Sequence, residues 1–418
     1  MKKSVEFGIG FITGRPNVCK IINSYYKDIL NQLDRYKTNV NLTIYILYDL
    51  DYQKTKVEDY YQILPEAKNN IRIKYVDEEC IKEEKEKLIN ENGLERNEID
   101  LLFGKGYAKS RNAIMYFALK DSIDYLMFWD DDEYPLANIR NDNKEIEWVK
   151  QDNLLAHLNN IENAEVTMGY RCGIMSPIPY VEFKSQEQEE DFKMYIDAIS
   201  NEAVSWEKIK TRLKNDNMIT YAEPEILESN EAVKMEGVGI DNWLLASGIC
   251  INLQQIDKIP AFYNPPNARG EDAFFSTWLR NERVLRVPTY HFHDGFLKYT
   301  ELMDKKYPKK LKKAGNNDIG VEKRFLQASI GWMKYKPLLI YITDREIYNQ
   351  RLEIIRKKLE YSIPKMNEIF KSVDFSILLK ELDNYNMSVE KDYDEYIKTN
   401  EVWKKVRDIL KNVVCNGG

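Results

Sequence analysis

The chain has few cysteines, and they stand far apart. Five occur among 418 residues, and none belongs to a CxxC pair. An odd number of cysteines, dispersed along the chain, argues against a disulfide framework and against a cysteine metal site. We therefore expect buried free thiols in a reducing cytosol. The five residues are Cys19, Cys80, Cys172, Cys250 and Cys415.

Long apolar runs and an excess of positive charge are absent as well. The net charge of −7 argues against a nucleic-acid partner held by a basic surface. No stretch reaches the roughly 18 apolar residues that a membrane span needs. The nearest candidate, residues 326–342 (LQASIGWMKYKPLLIYI), contains lysines and a proline, so we expect a buried helix broken at Pro337. The opening MKKSVEFGIG lacks a signal-peptide cleavage site. We expect a cytoplasmic chain, with peripheral membrane attachment as an alternative.

Strand-like and helix-like stretches alternate along the first 295 residues. Residues 41–51 (NLTIYILYDLD) are rich in β-branched and aromatic residues, whereas residues 18–36 place apolar side chains at helical spacing. This alternation predicts an α/β domain with a largely parallel sheet. In such sheets, ligands bind outside the carboxyl ends of the strands.

Two segments depart from the alternation. Residues 181–236 are polar and acidic, and we interpret them as an insertion that lies over the sheet. From about residue 296, charged helical stretches such as DREIYNQRLEIIRKKLEYSI dominate. We therefore predict one domain at 1–295, which carries the insertion, and a mainly helical C-terminal region at 296–418.

The acids of residues 126–135 (LMFWDDDEYP) follow an apolar run directly. If the strand continued past Trp129, Asp130 and Asp132 would point to the same side. Carboxylates on a rigid strand end suit Mg²⁺ or Mn²⁺, which commonly bind one or two carboxylates and phosphate oxygens. The alternative is a solvated acidic turn before Pro135, since Asp and Pro both favour turns.

A second acidic pair, Glu271 and Asp272, stands after Gly270 at the start of a helix-like run, AFFSTWLRNE. One of these carboxylates could serve as a general base. The alternative is structural, because acids also stabilise helix N-termini through the helix dipole.

Histidine is scarce, with only three residues, and two of them lie together in YHFHDG. His291 and His293 share one face of a strand, and a neutral imidazole is a common ligand for Mn²⁺. A polar histidine pair at a strand end is the structural alternative.

A basic loop, GKGYAKSRNA (104–113), runs into a predicted helix. Its glycines permit close backbone approach. Lys105, Lys109 and Arg111 place cations near a helix start, where phosphate binds well. A solvated basic turn would have the same composition.

Taken in order, these motifs resemble nucleotide-sugar glycosyltransferases of the GT-A fold, with the closest likeness to the inverting family 2 group. The resemblance covers roughly residues 5–295. It implies a GT-A fold, a nucleotide-sugar donor such as a UDP-sugar, and Mn²⁺ or Mg²⁺. The acceptor would be a glycan, a lipid-linked precursor or a protein side chain. The insertion and the helical C-terminal region lie outside the common core, and we expect them to shape the acceptor side.

The resemblance also implies roles on the donor side. Thr13 and Arg15, at the end of the first strand, match the position that lines the nucleotide base. Asp49, at the end of the second, matches an acid that reads base or ribose. Arg111 matches a basic residue of the donor-side helix.

The metal and its surroundings follow from the same resemblance. Asp130 and Asp132 match the DxD pair that holds the metal and contacts the donor, with Asp132 as the direct ligand. Asp131 is the middle residue, and its role stays open. His293, or else His291, matches a late metal ligand.

Catalysis is implied at the Glu-Asp pair. Asp272 matches the catalytic base, with Glu271 beside it, and attack on the opposite face from the leaving diphosphate would invert the anomeric carbon. Two alternatives remain open at this stage. One is a haloacid-dehalogenase-like phosphatase with a DxD nucleophile. The other is a non-catalytic sugar-binding scaffold whose C-terminal helices mediate assembly, including a homo-oligomer.

Overall fold

A computed structural model of the chain describes residues 4–174, 177–200, 205–245 and 247–416. The strands are β1 (Val5–Thr13), β2 (Val40–Tyr48), β3 (Arg72–Val76), β4 (Tyr125–Trp129), β5 (Glu133–Tyr134), β6 (Leu136–Arg140), β7 (Ile146–Lys150), β8 (Val166–Ile174), β9 (Val233–Lys234), β10 (Ile249–Asn252) and β11 (Val284–Asp294).

The α-helices are α1 (Asn17–Asp34), α2 (Pro65–Asn70), α3 (Glu78–Asn92), α4 (Arg96–Leu102), α5 (Tyr107–Lys120), α6 (Asn153–Leu158), α7 (Gln186–Ile199), α8 (Trp206–Asp216), α9 (Pro224–Glu228), α10 (Glu271–Trp278), α11 (Ile319–Thr343), α12 (Tyr348–Ile369), α13 (Ile377–Met387) and α14 (Val389–Asn416).

The main sheet is mixed. Its strands lie in the order β3-β2-β1-β4-β10-β8-β11-β5, and β9 pairs with β11. The first four strands are mutually parallel. The short β10 runs antiparallel to both β4 and β8, so β8 and its parallel neighbour β11 point the same way as β4. A separate hairpin joins β6 to β7.

The predicted fold class is confirmed, as an α/β sheet with flanking helices and a C-terminal helical region in a GT-A-like arrangement. The sheet is less parallel than its alternating pattern suggested, because β10 is inserted in the opposite direction between β4 and β8. Helix α1 forms where apolar residues recur at helical spacing, and its apolar stripe is buried against the sheet.

The insertion and the C-terminal region share one hydrophobic core. Phe192 and Tyr195 of α7 and Trp206 of α8 belong to the same buried cluster as apolar residues of α11, α12 and α13. The final helix, α14, returns to the sheet domain, where Trp403 is fully buried and its indole Nε1 donates to the Ile259 carbonyl over 3.2 Å. The domain boundary near residue 295 stays a prediction.

The expected break at Pro337 is wrong. Helix α11 continues through Pro337 to Thr343. A proline removes one backbone donor and crowds the preceding turn, but its neighbours Tyr335, Leu338 and Leu339 are all buried in the helical core. Tertiary packing therefore holds the helix together on both sides of the proline. Among the described residues, none of the helices combines the length and the apolar character needed to cross a membrane.

Four cysteines, Cys19, Cys80, Cys172 and Cys250, are free thiols, as predicted. Three of them are buried and Cys80 is half-buried. The side chain of Cys415 lies outside the described residues.

Candidate active site

The carboxyl ends of β1, β2, β4 and β11 meet at one edge of the sheet. The Asp49 amide, just after β2, donates to the Thr13 carbonyl at the end of β1 over 2.9 Å. The Asp294 amide, at the end of β11, donates to the Asp132 carbonyl over 2.9 Å. In addition, β5 pairs with β11, with Glu133 and His293 opposite each other in the backbone register. The sequence-predicted residues of four different strands are thereby brought to the same edge.

The three aspartates that follow β4 do not extend the strand. Strand β4 ends at Trp129, and Asp131 and Asp132 form a turn. The expectation that Asp130 and Asp132 share a strand face is therefore wrong, since each turns to a different partner. Asp131 accepts a hydrogen bond from the Thr13 hydroxyl and forms an ion pair with Arg15 at 2.7 Å. Burial raises the pKa of Asp131 to about 7, against the opposing charge of Arg15.

Asp132 faces a histidine. Its Oδ1 lies 3.8 Å from His293 Nε2, and its Oδ2 lies 3.3 Å from Arg15. The His293 Nδ1 is hydrogen-bonded to the Ile174 carbonyl, which places the proton on Nδ1 and leaves the lone pair of Nε2 directed at Asp132. Burial, followed by the charge of Arg171, lowers the pKa of His293 to about 4, so the ring is neutral at neutral pH. Burial alone would raise the pKa of Asp132, but the groups around it, His293 first and then the guanidinium groups of Arg15 and Arg324, outweigh burial and lower that pKa.

Arg111 joins the DxD turn to the predicted base. Its guanidinium lies 3.5 Å from Asp130 and 3.5 Å from Glu271, at the start of α10. The side chain is almost fully buried between aromatic rings, with Phe128 at 5.0 Å and Phe262 at 5.8 Å from the guanidinium carbon. A buried arginine between two carboxylates fixes the distance between the two acidic motifs.

Asp272 occupies the first turn of α10, after Gly270, which has a left-handed backbone with φ of +93°. Its carboxylate accepts from the Ala273 amide at 2.9 Å and makes no ion pair within the part of the chain that the structure describes. Burial, with the charge of Glu271 adding to it, raises the pKa of Asp272 to about 7. A carboxyl group with a pKa near 7 suits a general base at neutral pH.

A fully buried polar cluster lies behind the turn. Glu133 is completely buried, forms an ion pair with Arg171 at 2.6 Å and accepts a hydrogen bond from the Ser247 hydroxyl at 2.7 Å. Burial raises the pKa of Glu133 to about 7 despite the charge of Arg171. His291 Nδ1 lies 3.9 Å from Glu133, and the edge of its ring meets Trp129. His291 thus faces Glu133, whereas His293 faces Asp132.

Sequence reasoning missed Arg171 and Ser247. Both lie inside largely apolar strand-like stretches, AEVTMGYRCGIM and WLLASGICINL, and Arg171 is the one basic residue in them. A charged residue in an otherwise apolar strand is almost never fully buried without a partner. The charged Arg171 in an apolar stretch was therefore the feature of the sequence that could have indicated a buried acidic partner.

Tyr52 covers the turn after β1, on the side where the sequence predicts the donor. A Cβ placed on Gly14 would collide with the Tyr52 side chain, and the Arg15 guanidinium carbon lies 5.9 Å from the Tyr52 ring, which is exposed. Asp49 accepts from the Asp51 amide at 2.9 Å. Lys105 does not reach the DxD turn, because it pairs with Asp51 at 2.8 Å and with Glu78. Lys109 is half-buried, and burial lowers its pKa.

The chemistry of this pocket fits a divalent cation only in part. Among the described residues, no three side chains of the His, Cys, Asp and Glu types are grouped to hold a metal by themselves. Asp132 and His293 nevertheless offer an oxygen and an imidazole nitrogen close together. Mg²⁺ and Mn²⁺ commonly take one or two protein ligands and complete their coordination with phosphate oxygens. The pair is therefore suited to a metal that arrives with a diphosphate.

Comparison with known proteins gives little beyond this geometry. No family model matches the chain, and no curated protein matches it. Among solved structures, the chain is similar to the apo crystal structure of mouse xyloside xylosyltransferase 1. The match has 11% identity and a TM-score of 0.25, and it covers 61% of this chain and 69% of that one. With a TM-score this low, the similarity supports no functional assignment. A function must therefore be argued from the residues of the site.

Proposed function

We propose that this chain is a metal-dependent glycosyltransferase, which moves a sugar from a nucleotide-sugar donor to an acceptor hydroxyl with inversion. One observation carries the proposal. Arg111 links the two acidic motifs, because its guanidinium lies 3.5 Å from Asp130, near the Asp132–His293 pair, and 3.5 Å from Glu271, next to Asp272. The family 2 resemblance adds the order of the motifs along the chain.

The donor would lie along the ends of β1 and β2. Thr13, Arg15 and Asp49 line that edge, and the exposed ring of Tyr52 is available for stacking on a base. We propose a UDP-sugar as the donor. Bound Mn²⁺ or Mg²⁺, held by Asp132 and His293, would supply Lewis-acid stabilisation of the charge on the departing diphosphate. Asp131 is occupied by Thr13 and Arg15, so its contribution is to hold the turn rather than to bind metal.

Asp272 would act on the acceptor. With a pKa of about 7 and no ion-pair partner among the described residues, its carboxylate can accept the proton of an acceptor hydroxyl as the new glycosidic bond forms. Attack from the side opposite the leaving diphosphate inverts the anomeric carbon. Glu271 stays paired with Arg111 and positions the start of α10.

One positively charged surface segment supports a proposal for where the protein acts. Residues 305–313 contain six lysines within a chain of net charge −7. Lys306, Lys310 and Lys312 are exposed, and the segment is held in place by contacts such as the hydrogen bond that the Trp148 indole Nε1 donates to the Pro308 carbonyl over 2.8 Å. Each basic residue near an anionic leaflet contributes about 1 kcal/mol. We propose a cytoplasmic protein that binds anionic membranes peripherally.

The function is tested by ligand-dependent melting and by turnover. Mn²⁺ with UDP should raise the melting temperature of the wild type, since a ligand that binds only the folded state stabilises it. Asp132→Ala should lose both that shift and transfer, whereas Asp272→Asn should lose transfer and keep the shift. The exposed Asp304→Ala serves as the matched control.

Other outcomes identify the alternatives. Release of phosphate from an aryl phosphate, without donor hydrolysis, would indicate a phosphatase. A melting shift with no turnover of any nucleotide-sugar would indicate a binding scaffold. Near-normal transfer by Asp272→Asn would refute the assignment of the base.

A further inference from the structure

The stretch of chain that leads to the proposed base has no regular structure of its own. Residues 259–270, all of which the structure describes, form neither helix nor strand, yet Ile259, Ala261 and Phe262 are buried. Buried backbone N–H and C=O groups need hydrogen-bond partners, which a strand or a helix would otherwise supply. Together with the turn before it and α10, this stretch forms the base segment, residues 256–278. The partners of its backbone show which part of the molecule fixes its position.

Helix α14 supplies several of these partners. Trp403 Nε1 and Arg407 Nη1 each donate to the Ile259 carbonyl over 3.2 Å. Asn400 Oδ1 accepts a hydrogen bond from the Ala261 amide at 2.9 Å. Positions 400, 403 and 407 are separated by three and four residues, so the three side chains share one face of the helix. That face of α14 thus provides the bonds that a neighbouring strand would provide.

Tyr396, one turn earlier on α14, reaches the helix that carries the base. Its hydroxyl lies 2.7 Å from the Thr277 hydroxyl, and Tyr396 is the donor because Thr277 donates its own hydrogen to the Phe274 carbonyl over 2.6 Å. The buried Tyr396 ring also lies against three aromatic rings of the base segment, with centroid distances of 5.8 Å to Tyr263, 5.9 Å to Phe274 and 5.3 Å to Trp278. One side chain of α14 therefore contacts both the irregular stretch and α10.

Helix α10 depends on its surroundings for its position. It is eight residues long, and no side chain caps its start, so it is shorter than a helix that is stable alone. Its Phe275 ring stacks on the Phe262 ring, with centroids 4.2 Å apart, and Phe262 follows the amide that Asn400 holds. Asp272 lies on the same helix, five residues before Thr277. A shift of α10 at either contact would therefore move the Asp272 carboxylate.

We propose that Tyr396 and Asn400 of α14 are positioning residues, which act through the base segment to place Asp272 against the acceptor. The inference rests on the proposed transferase function. It gives the C-terminal region a part in catalysis, beyond any part in assembly. A misplacement of about 1 Å, caused by a change remote from the chemistry, can lower a rate by about a hundredfold. The contacts of Tyr396 lie on the base segment and not at the ends of β1, β2 or β4, so donor binding should not depend on this residue.

The experiment separates position from stability with matched variants. Tyr396→Leu removes the ring, Tyr396→Phe removes only the hydroxyl, and Asn400→Leu removes the acceptor of the Ala261 amide. The controls are Tyr348→Leu and Tyr348→Phe, because Tyr348 is also a buried tyrosine of the helical region, and its hydroxyl donates to Asn386 Oδ1 of α13 over 2.7 Å. Three quantities are measured: the rate of UDP release from UDP-glucose, UDP-galactose or UDP-N-acetylglucosamine, the dissociation constant of UDP with Mn²⁺, and the urea midpoint.

We expect Tyr396→Leu and Asn400→Leu to lower the rate of UDP release by about tenfold to a hundredfold at saturating donor, and to leave the dissociation constant of UDP with Mn²⁺ unchanged. Tyr396→Phe should keep most of the activity, because it keeps the three ring contacts. The Tyr348 variants should lose stability without losing activity. Normal turnover by a folded Tyr396→Leu protein would overturn the proposal, and so would equal losses of activity in the Tyr396 and Tyr348 variants.

A variant that fails to fold has a replacement. If a leucine variant does not fold, Tyr396→Phe and Thr277→Val are compared with their double variant. Because the two side chains share one hydrogen bond, the double variant should lose no more activity than either single variant. Losses that add would show that the two side chains act independently, which contradicts positioning through this bond.

A second measurement reports on the base without turnover. Asp272→Asn removes a carboxylate whose pKa burial raises to about 7, and should stabilise the wild type at pH 8. In the Tyr396→Leu background this stabilisation should shrink, because water reaches a displaced carboxylate. Equal stabilisation in both backgrounds would overturn the positioning inference alone. A wild type that neither binds UDP with Mn²⁺ nor releases UDP would refute the transferase assignment instead, so the two failures are distinguishable.

Discussion

Replacing the proposed base should cost the protein its activity and increase its stability. In the folded chain, burial and the charge of Glu271 raise the pKa of Asp272 from 3.8 to about 7. In the unfolded chain, the same carboxyl ionises near 3.8. The folded state therefore binds a proton that the unfolded state has already released, and stability from this group falls as pH rises from about 4 to about 7. Asp272→Asn keeps the shape of the side chain and removes this cost.

The size of the effect follows from the pKa change. A shift of about three units corresponds to about 4 kcal/mol at pH 8 if it is realised in full. Asp272 is only half-buried, so water screens part of the unfavourable charge. We expect Asp272→Asn to be more stable than the wild type by about 1–2 kcal/mol at pH 8, with the difference shrinking toward zero near pH 4.

Urea unfolding at pH 5 and pH 8 measures this difference, with transfer assayed in parallel. The exposed Asp304→Asn reports the effect of an amide substitution without burial. In the wild type, transfer should also rise with pH through about 7, because the base acts when it is ionised. A variant that is less stable than the wild type at pH 8, or a stability difference equal at both pH values, would contradict the reasoning.

Three further perturbations test the surroundings of the pocket. Arg171→Met leaves Glu133 buried without its partner and should lower the free energy of unfolding by about 3–5 kcal/mol. Urea titration measures this loss, and a smaller loss would contradict the buried ion pair. Gly270→Ala places an alanine with a left-handed backbone against Tyr335, and should lower the free energy of unfolding by about 1–3 kcal/mol and remove most of the activity. The control is Gly93→Ala, where φ is +70° and the space is free, so that only the backbone strain should lower stability. Removal of the C-terminal region should leave the insertion helices α7 and α8 without their apolar partners, so size-exclusion chromatography and circular dichroism should show an aggregated or partly unfolded chain.

The sequence was sufficient where structure is local. The apolar spacing of residues 18–36 predicted α1, and the β-branched run of residues 41–51 predicted β2, because one face of each must be buried. The placement of Asp49 and the DxD turn at one edge also followed, since parallel strands bring their carboxyl ends together.

The partners of those acids could not be read from the sequence. Arg171 and Ser247 reach Glu133 only because β10 places β8 beside β4. Likewise, Arg324 stands 192 positions after Asp132, and only the folded path of α11 brings its charge near that residue. Spacing along the chain contains no information about contacts of this kind.

Three of the four acids after Trp129 are each paired with a different arginine, and this division explains how so many carboxylates can follow one buried strand. Arg111 pairs with Asp130, Arg15 with Asp131, and Arg171 with Glu133. Asp132 shares Arg15 at the longer distance of 3.3 Å and otherwise faces a neutral imidazole. Across the pocket, Arg111 pairs with Glu271, and Asp272 makes no ion pair among the described residues. Asp132, which has only a share of Arg15, and Asp272, which has no ion pair, are the two acids to which we assign chemistry, the first to bind a cation and the second to take a proton. A variant that moves Arg111 should therefore disturb both functions at once, because the same guanidinium neutralises a neighbour of each.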